Sequence, residues 1–348
     1  MLKHIYNLAT DKYTGIVAGF LKFILFLLSL IYGLIIRVLS FLSGFKSFKP
    51  ECKVLSVGNI TLGGTGKTPL VEYLAKVIGS KGKKVAIVTR GYKKSQALES
   101  GDEALMLQNN LKNVPVIVDK NRIEGIKCAC LKYAADLVIL DDGFQQWKLK
   151  KDLEIVVISA VNPFGNKHMI PRGILREPLS ALARADIFVL TKVNLVGELS
   201  EIKNNLRKYN SNALIFESVH DPAGFRRFGQ DGQIIDKKMF ASKRVALISG
   251  IADPDSFEKT IQGLGAVAVL SFKFADHHQY CKADLDGIAA GLKGKNVTAI
   301  ITTAKDAVKL KPFDMENLGI EIFVLVIELK IIKDEEKFIS RLSGLCGN

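Results

Sequence analysis

The chain has 348 residues, of which 48% are hydrophobic and 24% are charged, and this balance excludes a disordered chain. Its 49 Lys and Arg against 35 Asp and Glu give a formal net charge of +14. Such a surplus favours phosphorylated ligands, nucleic acid or an anionic membrane as partners, although a solvated Lys-rich surface would explain it too. The five cysteines are odd in number and form no CxxC pair, which favours free thiols in a reducing compartment.

Residues 1–45 are predicted to form an N-terminal helix that associates with a membrane. Residues 23–36 are a run of 14 residues without a charge. A spanning helix needs about 20 apolar residues, so the run leaves open whether the helix spans the bilayer or dips into it. Residues 1–53 contain seven Lys and Arg against two acids, a basic fringe that suits an anionic membrane surface. The alternative is a buried helix of the globular part.

Short apolar runs alternate with helical patterns over residues 46–213, which predicts a P-loop NTPase-like, mainly parallel sheet with helices on both faces. A turn at residues 221–224 predicts a β linker or hinge over residues 214–240. Later strand patterns predict a second, smaller α/β lobe over residues 241–348. The predicted strands are residues 54–60, 84–89, 114–118, 137–140, 155–158, 187–190, 214–219, 225–228, 245–248, 267–272, 297–302 and 320–327.

A glycine-rich turn between a predicted strand and a predicted helix is the most informative stretch. Its Gly-Lys-Thr end is typical of a P-loop, in which backbone N–H groups and a helix N-terminus bind the phosphates of ATP or GTP. We expect Lys67 to neutralise the β- and γ-phosphates and the Thr68 hydroxyl to bind Mg²⁺. The usual pattern has Gly where this chain has Thr61. The predicted nucleotide-binding residues are Thr61, Leu62, Gly63, Gly64, Thr65, Gly66, Lys67 and Thr68.

A second motif is an apolar strand that ends in two carboxylates. Residues 137–140 lead into Asp141 and Asp142. A carboxylate at the carboxyl end of a strand beside the P-loop can orient Mg²⁺ and its waters, whereas alone the pair would be an ordinary turn start. The pattern predicts a metal site and leaves open which of the two acids contacts the metal.

With these motifs the chain resembles the tetraacyldisaccharide 4′-kinases of lipid A biosynthesis. Eight short strings carry the resemblance, in family order and over most of the chain. They are residues 57–60, 63–69, 89–92, 101–104, 141–145, 175–178, 274–277 and 302–308.

The resemblance implies transfer of the γ-phosphate of ATP to the 4′-hydroxyl of a lipid-linked disaccharide, tetraacyldisaccharide 1-phosphate. It implies Mg²⁺ as cofactor, a site at the cytoplasmic face of the inner membrane, and catalysis between two α/β lobes. It also implies that Asp102 is the catalytic base and that His277 assists it. The pairing is chemically reasonable because imidazole can orient a carboxylate and share the arriving proton. Otherwise Asp102 would be a helix N-cap, and a lone histidine would be structural.

Further cations are candidate phosphate ligands. Arg90, Arg122 and Arg176 could bind phosphate oxygens through their guanidinium groups, and a surface ion pair is the alternative for each. Lys305 follows an apolar strand and is expected to line the cleft or to cap a helix.

Two other functions would use a similar loop. A partition or metal-insertion type P-loop ATPase usually has Lys directly before the Gly pair, where this chain has Leu62. A membrane-tethered nucleotide-binding adaptor would bind ATP without making a phosphorylated product. The sequence has no stripe of interleaved aromatic and basic residues, so no nucleic-acid partner is predicted, and no obligate protein partner is predicted either.

Overall fold

The computed structural model describes residues 7–45, 47–91, 102–230, 233–276 and 278–346. The chain divides into two compact units, each built from separate stretches of sequence. Unit 1 is Met1–Arg90, Asn113–Val219 and Lys330–Asn348, and unit 2 is Gly91–Lys112 and His220–Leu329. The domain boundaries expected at residues 45, 213 and 240 stay predictions.

Helices of both units are numbered together in chain order. They are α1 (Ile16–Gly44), α2 (Lys67–Gly79), α3 (Asp102–Asn110), α4 (Arg122–Tyr133), α5 (Ser200–Tyr209), α6 (Pro254–Gly263), α7 (Lys282–Leu292), α8 (Ala304–Leu310) and α9 (Glu335–Cys346).

Unit 1 contains a parallel sheet in the order β3–β2–β4–β1–β5–β6–β7. Every residue of its second, fourth, fifth and sixth strands is buried, because both faces of the sheet are covered. The predicted mainly parallel α/β fold is therefore confirmed. The strands are β1 (Lys53–Gly58), β2 (Val85–Thr89), β3 (Val116–Val118), β4 (Leu137–Asp141), β5 (Leu153–Ser159), β6 (Ile187–Thr191) and β7 (Leu214–Arg227).

Helix α1 distributes its side chains in the opposite way to an ordinary surface helix. The side that packs on unit 1 carries small residues, and Ser29, Gly33 and Ser43 are buried there. The other side is apolar and open, with Ile31 58% and Leu34 63% exposed. By length and composition α1 is able to cross a membrane. A long helix that turns its apolar side outward suits hydrocarbon better than water, which supports membrane association and argues against a buried core helix.

Unit 2 contains four parallel strands in the order β9–β8–β10–β11. Alternate residues of β8 serve two apolar clusters: Leu247 belongs to the one that contains Phe240, and Ile248 to the one that contains Tyr280. Because both faces are covered, the predicted second α/β lobe is confirmed. The strands are β8 (Arg244–Ser249), β9 (Val267–Lys273), β10 (Ala299–Thr303) and β11 (Ile322–Ile331).

The turn predicted at residues 221–224 is wrong, because β7 continues through it without a break. Gly224 has a φ of +149°, and a Cβ there would lie 2.2 Å from the carbonyl oxygen of Ile235. Phe225 pairs antiparallel with Ile235 at the next position. The glycine therefore permits the close approach of a neighbouring backbone, which is a common reason for glycine in a strand.

Substitution of the outward side of α1 should test its contact with lipid. We expect the double variant Ile31→Asp, Leu34→Asp to lose most of its flotation with anionic phospholipid vesicles, because two carboxylates would have to enter the apolar layer. Leu131→Asp, at a position 83% exposed on α4, is the matched control and should float like the unmodified chain. Equal flotation of all three proteins would contradict the assignment of this side to lipid.

Candidate active site

The glycine-rich loop connects the end of β1 to the start of α2. Gly63 has a φ of +111° and Gly66 one of +91°, a region that side chains disfavour. Gly66 is the N-cap of α2, so Lys67 is the first helical residue. The carbonyl of Thr65 accepts a hydrogen bond from Thr191 Oγ1 at 2.7 Å, which ties the loop to the end of β6. The loop thus points a helix N-terminus and its N–H groups into the site.

Two further glycines bring the turn after β4 against the end of β1. A Cβ on Gly58 would lie 2.4 Å from Phe144 Cβ and 2.6 Å from the Phe144 nitrogen. A Cβ on Gly143 would lie 2.4 Å from Ser56 Oγ. The Gly143 N–H donates to the Val57 carbonyl at 3.1 Å, so the two backbones are also hydrogen-bonded. Only residues without a side chain fit at these two points.

As a result, three predicted site residues meet in one charged cluster. Lys67 Nζ lies 3.4 Å from Asp142 Oδ1. Arg176 Nη1 donates to both oxygens of Asp142, at 2.9 and 2.8 Å. The side chains of Lys67 and Asp142 are each only 13% exposed, so the charges interact more strongly than at an open surface. Two cations share one carboxylate here, which leaves the cluster attractive to a polyanion.

Asp141 and Arg122 extend this cluster into the interior. Asp141 is 2% exposed and accepts a hydrogen bond from Thr89 Oγ1 at 3.3 Å. Arg122, which is 3% exposed, donates to the carbonyls of Asp141 and Asp119 at 3.3 and 2.7 Å. A surface ion pair, the alternative considered for Arg122, is therefore wrong. Its guanidinium holds the backbone at the end of β4.

The structure adds site residues to which the sequence assigned no role. Asn59 is fully buried, accepts from Lys67 Nζ at 3.2 Å through Oδ1 and donates to the Thr61 carbonyl at 2.7 Å. It therefore fixes both the loop and its lysine. A polar residue directly after a buried strand is the signal that could have identified it.

Glu177 is the centre of a second group of hydrogen bonds behind the cluster. It is 1% exposed and accepts from Gln145 Nε2 at 3.2 Å and from Arg184 Nη2 at 2.9 Å. Gln145 also donates to the Asn59 carbonyl at 3.0 Å and accepts from Arg176 Nη1 at 3.3 Å. Gln145 therefore fixes the position of Arg176 relative to Asn59.

In unit 2 the predicted Lys305 forms an ion pair with Glu103, which joins α8 to α3. Asp306 is fully buried and accepts from Thr303 Oγ1 at 2.7 Å, from the Gly250 N–H at 3.0 Å and from the Tyr280 hydroxyl at 3.1 Å. Burial and the neighbouring Asp306 raise the pKa of Tyr280, so its hydroxyl stays protonated and donates.

Of the remaining predicted residues, the structure describes the side chains of two and not those of the other two. Thr68 is buried at the start of α2, and Arg90 is exposed just after β2. His277 and the side chain of Asp102 lie outside the described residues, so the predicted pair stays a prediction.

The oxygen donors beside the loop fit a magnesium ion. Within the described parts of the chain, no three His, Cys, Asp or Glu side chains come together in a metal-binding group. Mg²⁺ seldom uses such a cage, because it keeps several waters and binds substrate phosphates with one or two protein oxygens. Thr68, Asp141 and Asp142 supply hard oxygen donors of this kind.

Comparison with known proteins gives consistent results over almost the whole chain. The sequence pattern of the tetraacyldisaccharide-1-P 4′-kinases, LpxK, matches residues 21–346. The chain belongs to this kinase family. The tetraacyldisaccharide 4′-kinase of Halothermothrix orenii is 37% identical over 346 residues, covering 89% of this chain and 90% of that protein. The tetraacyldisaccharide 4′-kinase of Syntrophus aciditrophicus is 34% identical, covering 84% of each chain.

A solved member of the family has the same fold. The crystal structure of the "apo" form of LpxK from Aquifex aeolicus in complex with ATP is 28% identical and covers 93% of this chain and 99% of that one, with a TM-score of 0.74. The resemblance predicted from eight short strings is thereby confirmed. Because the LpxK family is one of kinases, the enzyme prediction is confirmed over the adaptor and the partition-type ATPase.

The close approach of Gly58 and Phe144 generates a stability prediction for this LpxK family member. Gly58→Ala should lower the free energy of unfolding by about 1–3 kcal/mol, because the new methyl group would overlap backbone atoms that cannot move aside. Gly79→Ala is the matched control: it meets nothing within 4 Å, and the gain in helix propensity should leave stability unchanged or slightly higher. Urea unfolding measures both, and equal midpoints would contradict the packing described.

Proposed function

We propose that this chain transfers the γ-phosphate of ATP to the 4′-hydroxyl of a tetraacyldisaccharide 1-phosphate at the cytoplasmic face of the inner membrane. The observation that carries the proposal is the charged cluster beside the P-loop, in which Lys67 and Arg176 each contact Asp142, in a member of this kinase family. The substrate follows the names of the relatives. The membrane location follows the apolar outer side of α1.

Binding of ATP should use the charges beside the glycine-rich loop. Lys67 contacts Asn59 and Asp142. We propose that phosphate oxygens replace Asp142 as the partner of Lys67, while backbone N–H groups within residues 63–68 bind the remaining phosphate oxygens. Since Asp142 keeps two hydrogen bonds from Arg176, release of the lysine leaves no unpaired buried carboxylate.

Thr68, Asp141 and Asp142 are the proposed magnesium ligands. We favour Asp141 over Asp142 as the carboxylate, because both oxygens of Asp142 already accept hydrogen bonds from Arg176. When bound with ATP, Mg²⁺ would neutralise charge on the transferring phosphoryl group. Arg122 would orient Asp141 through the carbonyl that it holds at the end of β4.

A sugar hydroxyl is a weak nucleophile, so the reaction needs a proton acceptor. We propose Asp102, the first residue of α3, as this base, with His277 as the imidazole that orients it and shares the proton. The ion pair of Glu103 with Lys305 fastens α3 at the residue next to this base. Lys305 is therefore proposed as a support of the site, and Arg90 as an exposed candidate for a phosphate of the lipid.

The proposal is tested by incubating the protein with Mg²⁺, γ-labelled ATP and detergent-dispersed tetraacyldisaccharide 1-phosphate. Label should appear on the lipid, and Lys67→Ala should abolish this transfer because the γ-phosphate loses its cation. Lys76→Ala, on the exposed side of the same helix in a pair with Glu72, is the control and should remain active. Release of labelled phosphate into water without labelled lipid would favour an ATPase and overturn the proposal.

Asp102→Asn separates a catalytic base from a helix cap. Asparagine caps a helix as well as aspartate does but cannot accept the proton, so we expect a fall in kcat of about 10²–10⁴-fold with little change in KM. Asp253→Asn, at the N-cap of α6 in the same unit, is the matched control and should retain activity. A near-normal kcat for Asp102→Asn would exclude it as the base.

A further inference from the structure

Helix α1 contacts a segment that leads into the phosphate site, which we define as the bridging segment, residues 166–177. The Tyr32 hydroxyl donates a hydrogen bond to the Arg176 carbonyl at 3.0 Å, between residues 144 positions apart in sequence. One residue later, Gly33 packs against Met169, whose Sδ would lie 3.1 Å from a Cβ at that position. Six residues before Tyr32, the ring of Phe26 meets His168 edge to face at 5.7 Å. The inward side of the helix therefore rests on this segment.

The other side of the bridging segment is hydrogen-bonded to the start of the glycine-rich loop. The Leu62 N–H donates to the Ile174 carbonyl at 2.8 Å, and the Arg176 N–H donates to the Ile60 carbonyl at 2.8 Å. Arg176 is thus held at both backbone groups, by the loop through its N–H and by Tyr32 through its carbonyl. Its guanidinium donates a hydrogen bond to Asp142, which is also the ion-pair partner of Lys67.

A second contact fastens the N-terminal end of the bridging segment. Asp11 lies 2.7 Å from Lys22 Nζ of α1 and 2.9 Å from Arg172 Nη2, and it accepts a hydrogen bond from Asn166 Nδ2 at 2.9 Å. Burial opposes ionisation of Asp11, but these three donors outweigh it and hold its pKa well below the usual range. Helix and segment are therefore joined at both ends of the segment, and Tyr32 makes the join nearest the phosphate site.

We propose that Tyr32 is a positioning residue for phosphoryl transfer, which holds Arg176 so that membrane-associated α1 orients the Asp142–Lys67 pair. The inference rests on the proposed function of that pair and adds a role for α1 beyond attachment. Tyrosine suits this position because its ring spans the gap to the segment and its hydroxyl reaches the carbonyl. Ser29 and Gly33, the buried residues of α1 nearest to Tyr32, are too small to reach this carbonyl.

Tyr32→Phe removes the hydroxyl and keeps the ring. We expect kcat for phosphoryl transfer to fall about fivefold, the effect of one neutral hydrogen bond, with KM for the lipid and vesicle flotation unchanged. Ser29→Ala is the matched control: it also removes one hydroxyl from the inward side of α1, but the Ser29 hydroxyl donates to the Phe26 carbonyl of its own helix. Its kcat should equal that of the unmodified chain. A normal kcat for Tyr32→Phe would overturn the inference.

A double-mutant cycle with Arg176→Ala distinguishes positioning from a general loss of stability. If Tyr32 acts through the Arg176 guanidinium, Tyr32→Phe should lower kcat no further once that guanidinium is absent. A further fivefold fall in the Arg176→Ala background would show that Tyr32 acts by another route and would overturn the inference. Failure of the unmodified chain to label the lipid would instead contradict the proposed function, so the two failures are separable.

Discussion

The site depends on one steric constraint, the close approach of two backbones at the carboxyl ends of β1 and β4. Gly58 and Gly143 leave no room for a Cβ at this point, and the Gly143 N–H bonds to the Val57 carbonyl. Because the turn after β4 lies so close, Asp142 reaches the first residue of α2. Without that approach the loop would still exist, but its lysine would lack the carboxylate that holds it in place.

Polar groups around this contact form a connected set. Asn59 accepts a hydrogen bond from Lys67, and Arg176 donates to Asp142. Gln145 links these two pairs, because it donates to Glu177 and to the Asn59 carbonyl and accepts from Arg176. Buried polar groups of this kind are costly when a partner is missing and stabilising when all partners are present. Such a set favours a single arrangement of the phosphate site, which lowers the reorganisation needed during the reaction.

Much of this arrangement could be predicted from local sequence. Alternation of apolar runs with helices gave the parallel sheet, and the strand–glycine–helix order identified Lys67 and Thr68. The role of Asn59 could not be predicted, because it depends on a lysine that folding brings to its side chain. The error at residues 221–224 has a similar origin: Pro and Gly there indicated a turn, but Gly224 accommodates the backbone of Ile235, which local sequence does not reveal.

The same limit applies to α1. Its apolar composition predicted membrane association, but composition does not distinguish the inward side from the outward one. Tyr32 is one polar group in an apolar run, and only the fold shows that it meets a carbonyl 144 residues away. The contact matters because it joins a helix suited to lipid with a loop suited to ATP. An enzyme that acts on a membrane-bound sugar needs a fixed relative position of the lipid-binding and ATP-binding parts.

If the γ-phosphate passes from ATP to a sugar hydroxyl, ³¹P NMR of a single reaction mixture should show both its loss from ATP and its gain by the lipid. With Mg²⁺, ATP and detergent-dispersed tetraacyldisaccharide 1-phosphate, we expect the γ-phosphate signal to fall while a new phosphomonoester signal on the lipid grows by the same amount. Growth of inorganic phosphate alone, with the lipid signals unchanged, would mean that the phosphate passes to water and not to the sugar.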